Sequence, residues 1–214
     1  MLSQHEREFV IRIGAHALMS SAVHGSEEAL AERAMARVAN PETARILVGG
    51  LGMGFTLAAA LRHLPASAAV VVCELVPEIV EWNRGPLAHL AERPLEDARV
   101  SVRIEDVAAR IRQSEADFDT ILLDVDNGPN GITRPANDRI YSLDGLRAAF
   151  RALRPGGVLG VWSVAPDLEF SRRLDAAGFE VEETTARARR TKGGRHTIWL
   201  ATRLSGPWTG LPAR

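Results

Sequence analysis

RILVGGLGMG, residues 45–54, decides how the chain is to be read. Ile46-Leu47-Val48 is a short apolar run of the kind that forms a buried parallel strand, and the pattern from Phe55 to Leu64 predicts a helix. Between them glycine stands at every second position: Gly50, Gly52 and Gly54, with Gly49 just before. A glycine-rich turn between strand and helix lets a ligand approach the backbone, because no Cβ intervenes, and the N–H groups at the helix start face its polar atoms. The spacing G-x-G-x-G is neither the dinucleotide fingerprint G-x-G-x-x-G nor a P-loop ending in G-K-[ST]. The pattern therefore predicts a nucleotide-type site on a doubly wound α/β sheet.

Further strand ends follow at the expected intervals. Val70-Val71-Val72-Cys73-Glu74 is a second buried strand ending in a carboxylate. It stands about where a ribose-binding acid is expected, and it could equally serve the start of the helix predicted over Pro77–Leu90. Val100–Ile104 is a third strand, followed by Glu105-Asp106, where an acid can reach an adenine amino group or cap a helix. Phe118–Leu123 is a fourth, with Asp124 at its end. Ligands of open α/β sheets bind outside the carboxyl ends of the strands, so Gly50, Glu74, Asp106 and Asp124 converge on one crevice.

Five blocks carry a resemblance: ILVGGLGMG, VVVCELVPEIVEWNRG, RIEDV, DFDTILLDVDNGP and ALRPGGVLGVW. Together they resemble the class I S-adenosylmethionine-dependent transferases, and within these the spermidine synthase (polyamine aminopropyltransferase) family, over about residues 26 to 202. The resemblance implies a Rossmann-like, seven-stranded, mostly parallel sheet with an antiparallel last strand. The donor would be S-adenosylmethionine or its decarboxylated form, and the acceptor a small amine. Gly49, Gly50, Gly52, Gly54, Glu74, Leu75, Asp106 and Val107 would hold the donor. Asp124 would hold or deprotonate the acceptor amine, and Asn127 would orient it. Gly52 stands where the family has an aspartate near the donor's tail; Asn127 replaces a second aspartate, and Gly128 a proline. Glu28, within one residue of a family glutamate that lines the acceptor pocket, is a substrate candidate or simply part of a helix start. The segment Gly128–Tyr141 is long for its place and resembles a lid, with Asn137 and Tyr141 as its polar candidates.

The rest of the chain sets boundaries. At 214 residues with 46% apolar and 25% charged content, one globular core is expected. A net charge of −1 argues against a nucleic-acid partner, and no apolar run is long enough to span a membrane. The charged N-terminus carries no signal-peptide core, so a cytoplasmic enzyme is expected. Cys73, the single cysteine, reads as a core thiol. The run Asp124-Val125-Asp126-Asn127 resembles a metal-dependent methyltransferase motif but offers too few oxygen ligands, and no metal is expected. Helices are predicted over His5–Met19 and Ser26–Val38, giving an N-terminal helical segment over residues 1–40, a transferase domain over 41–204 and a tail over 205–214. Glu180–Ala186 and Thr197–Thr202 read as a closing antiparallel pair across a basic stretch that is either a solvated hairpin tip or an anion site. A homodimer is compatible with this reading. The alternatives are a small-molecule methyltransferase without polyamine activity and a non-catalytic nucleoside-binding protein.

Overall fold

The computed structural model describes residues 1–14, 16–125, 128–129, 138–189 and 191–206. It begins with three short strands, β1 (Leu2–His5), β2 (Glu8–Ile13) and β3 (His16–Ser20), which form a separate antiparallel meander. Then come α1 (Gly25–Met35), β4 (Arg45–Gly49), α2 (Phe55–Arg62), β5 (Ala69–Glu74), α3 (Pro77–Arg84), β6 (Val100–Ile104) and α4 (Val107–Arg112). The second half comprises β7 (Phe118–Leu123), α5 (Asp138–Tyr141), α6 (Leu143–Ala152), β8 (Leu153–Ser163), α7 (Leu168–Ala176), β9 (Glu180–Arg189) and β10 (Lys192–Thr202).

The main sheet has seven strands in the order β6-β5-β4-β7-β8-β10-β9. Strands β4 to β8 pair in parallel, and β10 runs antiparallel to both of its neighbours. The expected seven-stranded sheet with an antiparallel last strand is thus present. Alternation along the central strands feeds two cores. Ile46 and Val48 of β4 and Leu122 of β7 pack with Leu30, Ala34 and Leu57 of α1 and α2. Leu47, Ile121 and Leu123 face the other way, against Ile111, Leu146, Phe170 and Trp199. Helices on both faces explain why the runs Ile46–Val48 and Ile121–Leu123 are apolar without alternating.

The helix expected over His5–Met19 is not formed; those residues build the meander instead. Phe9 and Ile11 are buried together against Met53, Phe55 and Leu87. Their spacing of two is the strand signature, but Phe9, Ile13 and Ala17 also satisfy a spacing of four, and the run is too short to separate the periods. The β1–β2 turn uses Glu6 at φ 53°, without the Asn-Gly or Asp-Gly pair that marks a tight hairpin. The helix expected to reach Leu90 ends at Arg84. Gly85 N–H closes on the Glu81 and Trp82 carbonyls, and the chain resumes as a 3-10 turn at Ala88–Ala91. The closing hairpin is longer than expected, with paired strands through Arg189 and Lys192. Among the described residues no helix is long and apolar enough to cross a membrane.

Candidate functional site

The glycine turn lies where the C-terminal ends of β4, β5 and β7 meet. Gly50 N–H donates to the Cys73 carbonyl at 2.9 Å, and Asp124 N–H donates to the Gly49 carbonyl at 3.0 Å. Gly50, Gly52 and Gly54 all have positive φ, at 85°, 53° and 85°. At Gly50 an added Cβ would drive into the Asp124 carbonyl, so both the dihedral and the space demand glycine. Gly50→Ala is therefore expected to cost ~3 kcal/mol or more, read as a lowered midpoint in urea unfolding. At Gly49 the limit is Val107, whose Cγ2 lies 2.8 Å from an ideal Cβ. Val107 thus packs beneath the turn and is buried. Gly52 is covered from above: its Cβ position is 2.8 Å from Met19 Cε, at the end of β3.

Glu74 ends β5 and is 6% exposed. One of its oxygens accepts from Leu51 N–H and the other from Val76 N–H, each at 2.9 Å. The carboxylate therefore ties the glycine turn to the β5–α3 connection, which is the helix-start role among the two the sequence left open. Beside it Leu75 and Ile104 are 48% and 52% exposed, leaving apolar flats at adjacent strand ends. Asp106 caps α4 by accepting from Ala108 N–H at 2.8 Å through one oxygen. Cys73 is buried beside Glu105, and burial together with that carboxylate pushes the thiol up to about 12. It is a core thiol, as the sequence predicts.

Asp124 follows β7 and is buried at 7% exposure. Burial pushes its carboxyl up to about 6, against a lowering pull from Thr56, whose hydroxyl donates to it at 2.7 Å. A second carboxyl stands within electrostatic reach, and it is Glu27 rather than Glu28. Burial, then Asp124, then Glu28 hold Glu27 well above the usual carboxylate range. Consecutive helix residues point about 100° apart, so only one of the two can face the crevice. Glu28 is buried too, 3.5 Å from both Arg62 and His24. Glu27, rather than the expected Glu28, is thus the acid whose carboxyl feels the charge of Asp124. Tyr141 is buried, edge-on to Phe170, with its hydroxyl donating to the Val125 carbonyl at 3.3 Å. It braces the chain just after Asp124. Asn127 and Asn137 lie outside the described residues.

Three contributors escaped the sequence reading. Glu27 differs from Glu28 only by helix phase, which one residue of misalignment hides. Thr56 sits in the first turn of α2 with no motif around it. Asn83, buried within α3, donates to the Gly52 carbonyl at 2.8 Å and to Ile79, fixing the turn from below. Among the described residues no cluster of three or more His, Cys, Asp or Glu could hold a metal ion.

The strand order, the antiparallel β10 and the glycine turn beside a strand-end acid define the class I S-adenosylmethionine-dependent transferase fold. A spermidine synthase from Thermotoga maritima superposes with a TM-score of 0.74, covering 97% of this chain and 73% of that one at 19% identity. Human methyltransferase-like protein 13 superposes with a TM-score of 0.57 over 87% of this chain, at 22% identity. Residues 24–171 match the family described as the spermine/spermidine synthase domain. The chain belongs to that family. It is 32% identical to polyamine aminopropyltransferase 2 of Pseudomonas aeruginosa over 144 residues, which is 65% of this chain and 38% of that protein. It is also 32% identical to putrescine N-methyltransferase 2 of Nicotiana attenuata over 120 residues, 56% of this chain and 30% of that protein. The chain thus spans well under half the length of these curated relatives.

Proposed function

We propose that this protein transfers a group from an S-adenosylmethionine-type sulfonium to the nitrogen of a small, cationic amine. The observation that carries the reading is the buried Asp124 beside the glycine turn, which accepts from Thr56 and whose charge helps hold the Glu27 carboxyl above its usual range. The residues present fit such a donor. Gly50, Gly52 and Gly54 let the turn follow its positive-φ path at the strand ends, and Glu74 retains lone pairs for ribose hydroxyls. Leu75 and Ile104 offer apolar surface for a base, and Asp106 has one oxygen beyond its cap. When bound, the donor supplies a carbon already activated by positive sulfur. The protein's share is alignment and proton removal. Asp124 and Glu27 accept the ammonium of the acceptor, whose charge takes the place of the protons that burial otherwise retains on them. Asp124 then takes the proton lost by the attacking nitrogen, and a carboxyl poised near 6 suits that task at neutral pH.

Two outcomes are open within this reading, aminopropyl or methyl transfer, and both kinds of transfer stand in the names of the relatives. Met19 over Gly52 favours the carboxylated donor, since a thioether lines the position where the resemblance would place an acid. Incubation with each donor and a panel of diamines, followed by mass spectrometry of the products, tests the reading. Methylated amine from S-adenosylmethionine is the expected product. Failure of both donors to yield any modified amine above a no-protein control refutes the transfer. Gly52→Asp should then weaken the carboxylated donor by roughly 10-fold in calorimetry, as expected for one added like charge in a partly buried site.

A further inference from the structure

Ser26, His196 and Trp162 come from three separate elements and form a hydrogen-bond chain outside the site described above. Ser26 lies in the first turn of α1 and is 1% exposed; Trp162 is buried near the end of β8, and His196 is half-buried on β10. Trp162 Nε1 is 3.0 Å from Ser26 Oγ, and Ser26 Oγ is 2.7 Å from His196 Nδ1. The indole and imidazole rings also meet edge to face, with centroids 4.8 Å apart.

The chemistry of the three groups fixes the direction at Trp162. An indole nitrogen only donates, so Ser26 accepts from Trp162. The Ser26–His196 bond runs with the imidazole tautomer: with the hydrogen on Nε2, a neutral His196 accepts the Ser26 proton at Nδ1, and with it on Nδ1 the ring donates to Ser26. Burial lowers the His196 pKa, in keeping with a neutral ring. A serine enclosed this way is no nucleophile, because nothing can reach its oxygen. Its effect falls on the helix. The N-cap residue His24 makes no side-chain cap hydrogen bond, so the start of α1 lacks its usual local anchor. Ser26 supplies a lateral one, and the next residue is Glu27.

We infer that Trp162, Ser26 and His196 form a positioning relay that sets the first turn of α1 and thereby holds Glu27 against Asp124. The inference rests on the proposed amine-transfer reading for its kinetic consequence but not for its structural one. Three variants separate the contributions. Ser26→Ala removes both bonds and His196→Leu removes the imidazole, whereas His196→Asn can place an amide oxygen near the Nδ1 position. Carboxyl-carbon NMR titration of Glu27 needs neither donor nor acceptor. Its midpoint should fall toward the usual carboxylate range in Ser26→Ala and His196→Leu and stay near wild type in His196→Asn. In turnover, the first two should raise the acceptor KM by roughly 5- to 10-fold, the range for one lost buried hydrogen bond, with donor affinity unchanged. Unchanged Glu27 titration in all three variants overturns the relay, as does His196→Asn behaving like His196→Leu. If wild type transfers nothing to any amine, the proposed function falls while the titration still decides the relay.

Discussion

Asp124→Asn should lose about 10²- to 10⁴-fold in turnover, the span of a general base or positioning carboxylate, and yet melt higher than wild type at pH 8. The two halves have one cause. The Asp124 carboxyl is raised from 3.8 to about 6, mainly because burial disfavours its charged form. A raised value in the fold means that the contribution to stability is most favourable below the unfolded value and is lost as pH climbs through about 6. At pH 8 the folded protein therefore bears a buried carboxylate beside Glu27. Asparagine keeps an oxygen for the Thr56 hydroxyl and drops the charge. The relief should be on the order of 2 kcal/mol, somewhat below the full shift because the new amide N–H₂ has its own needs. At pH 5 the unfolded aspartate is still largely ionised, so the gap should narrow there, and it closes only as pH falls below the unfolded value of about 3.8. Melting curves from pH 5 to 8 check the sign. A variant that melts lower than wild type at pH 8 would show that the charge is not destabilising there.

Glu74→Ala should abolish measurable nucleoside binding and also destabilise the free protein by about 3 kcal/mol or more. Sequence alone casts Glu74 as a ribose ligand or a helix-start partner, and as a ribose ligand its loss would leave the unliganded melting temperature nearly unchanged. The structure changes that expectation. Both oxygens already accept backbone N–H groups, one from inside the glycine turn and one at the start of α3. A charge-assisted hydrogen bond is worth about 1.5–3 kcal/mol, and alanine leaves both donors without an acceptor. Glu74→Gln keeps one acceptor oxygen and should recover part of the stability. Chemical unfolding of the three proteins without ligand, followed by calorimetry with 5′-methylthioadenosine, provides the check. An alanine variant as stable as wild type would return Glu74 to a purely ligand-facing role.

The parts of the fold that could be read in advance are those where one periodicity stands unopposed. The runs Ile46–Val48, Val70–Cys73 and Ile121–Leu123 are apolar on both faces because helices cover both faces; the first runs into the glycine turn, and the other two end at Glu74 and Asp124, which mark the sheet edge. Asp124 and the glycine turn followed from that edge. The meander was hidden because Phe9, Ile11 and Ile13 fit a strand while Phe9, Ile13 and Ala17 fit a helix, and because Glu6 turns the chain where sequence rules look for glycine. Met19 was hidden with it: a residue read as helix could not be foreseen lying over Gly52. Glu27 and Glu28 show the finer limit. Their chemistry is identical, and only the rotational phase of α1 decides which meets Asp124.

The placement of β10 governs the order in which this molecule can be assembled. The last of the described strands along the chain enters the interior of the sheet, between β8 and β9. Ser26 and His196, which meet across α1, stand 170 positions apart. During synthesis the β8 edge must wait with unpaired backbone groups until residues 192–202 leave the ribosome, a state open to wrong pairing with other chains. The glycine turn, Glu74 and Asp124 can come together early, from neighbouring parallel strands. The seat of Ser26 is completed only when β10 arrives, so the nucleoside half of the crevice forms before the half that carries Glu27.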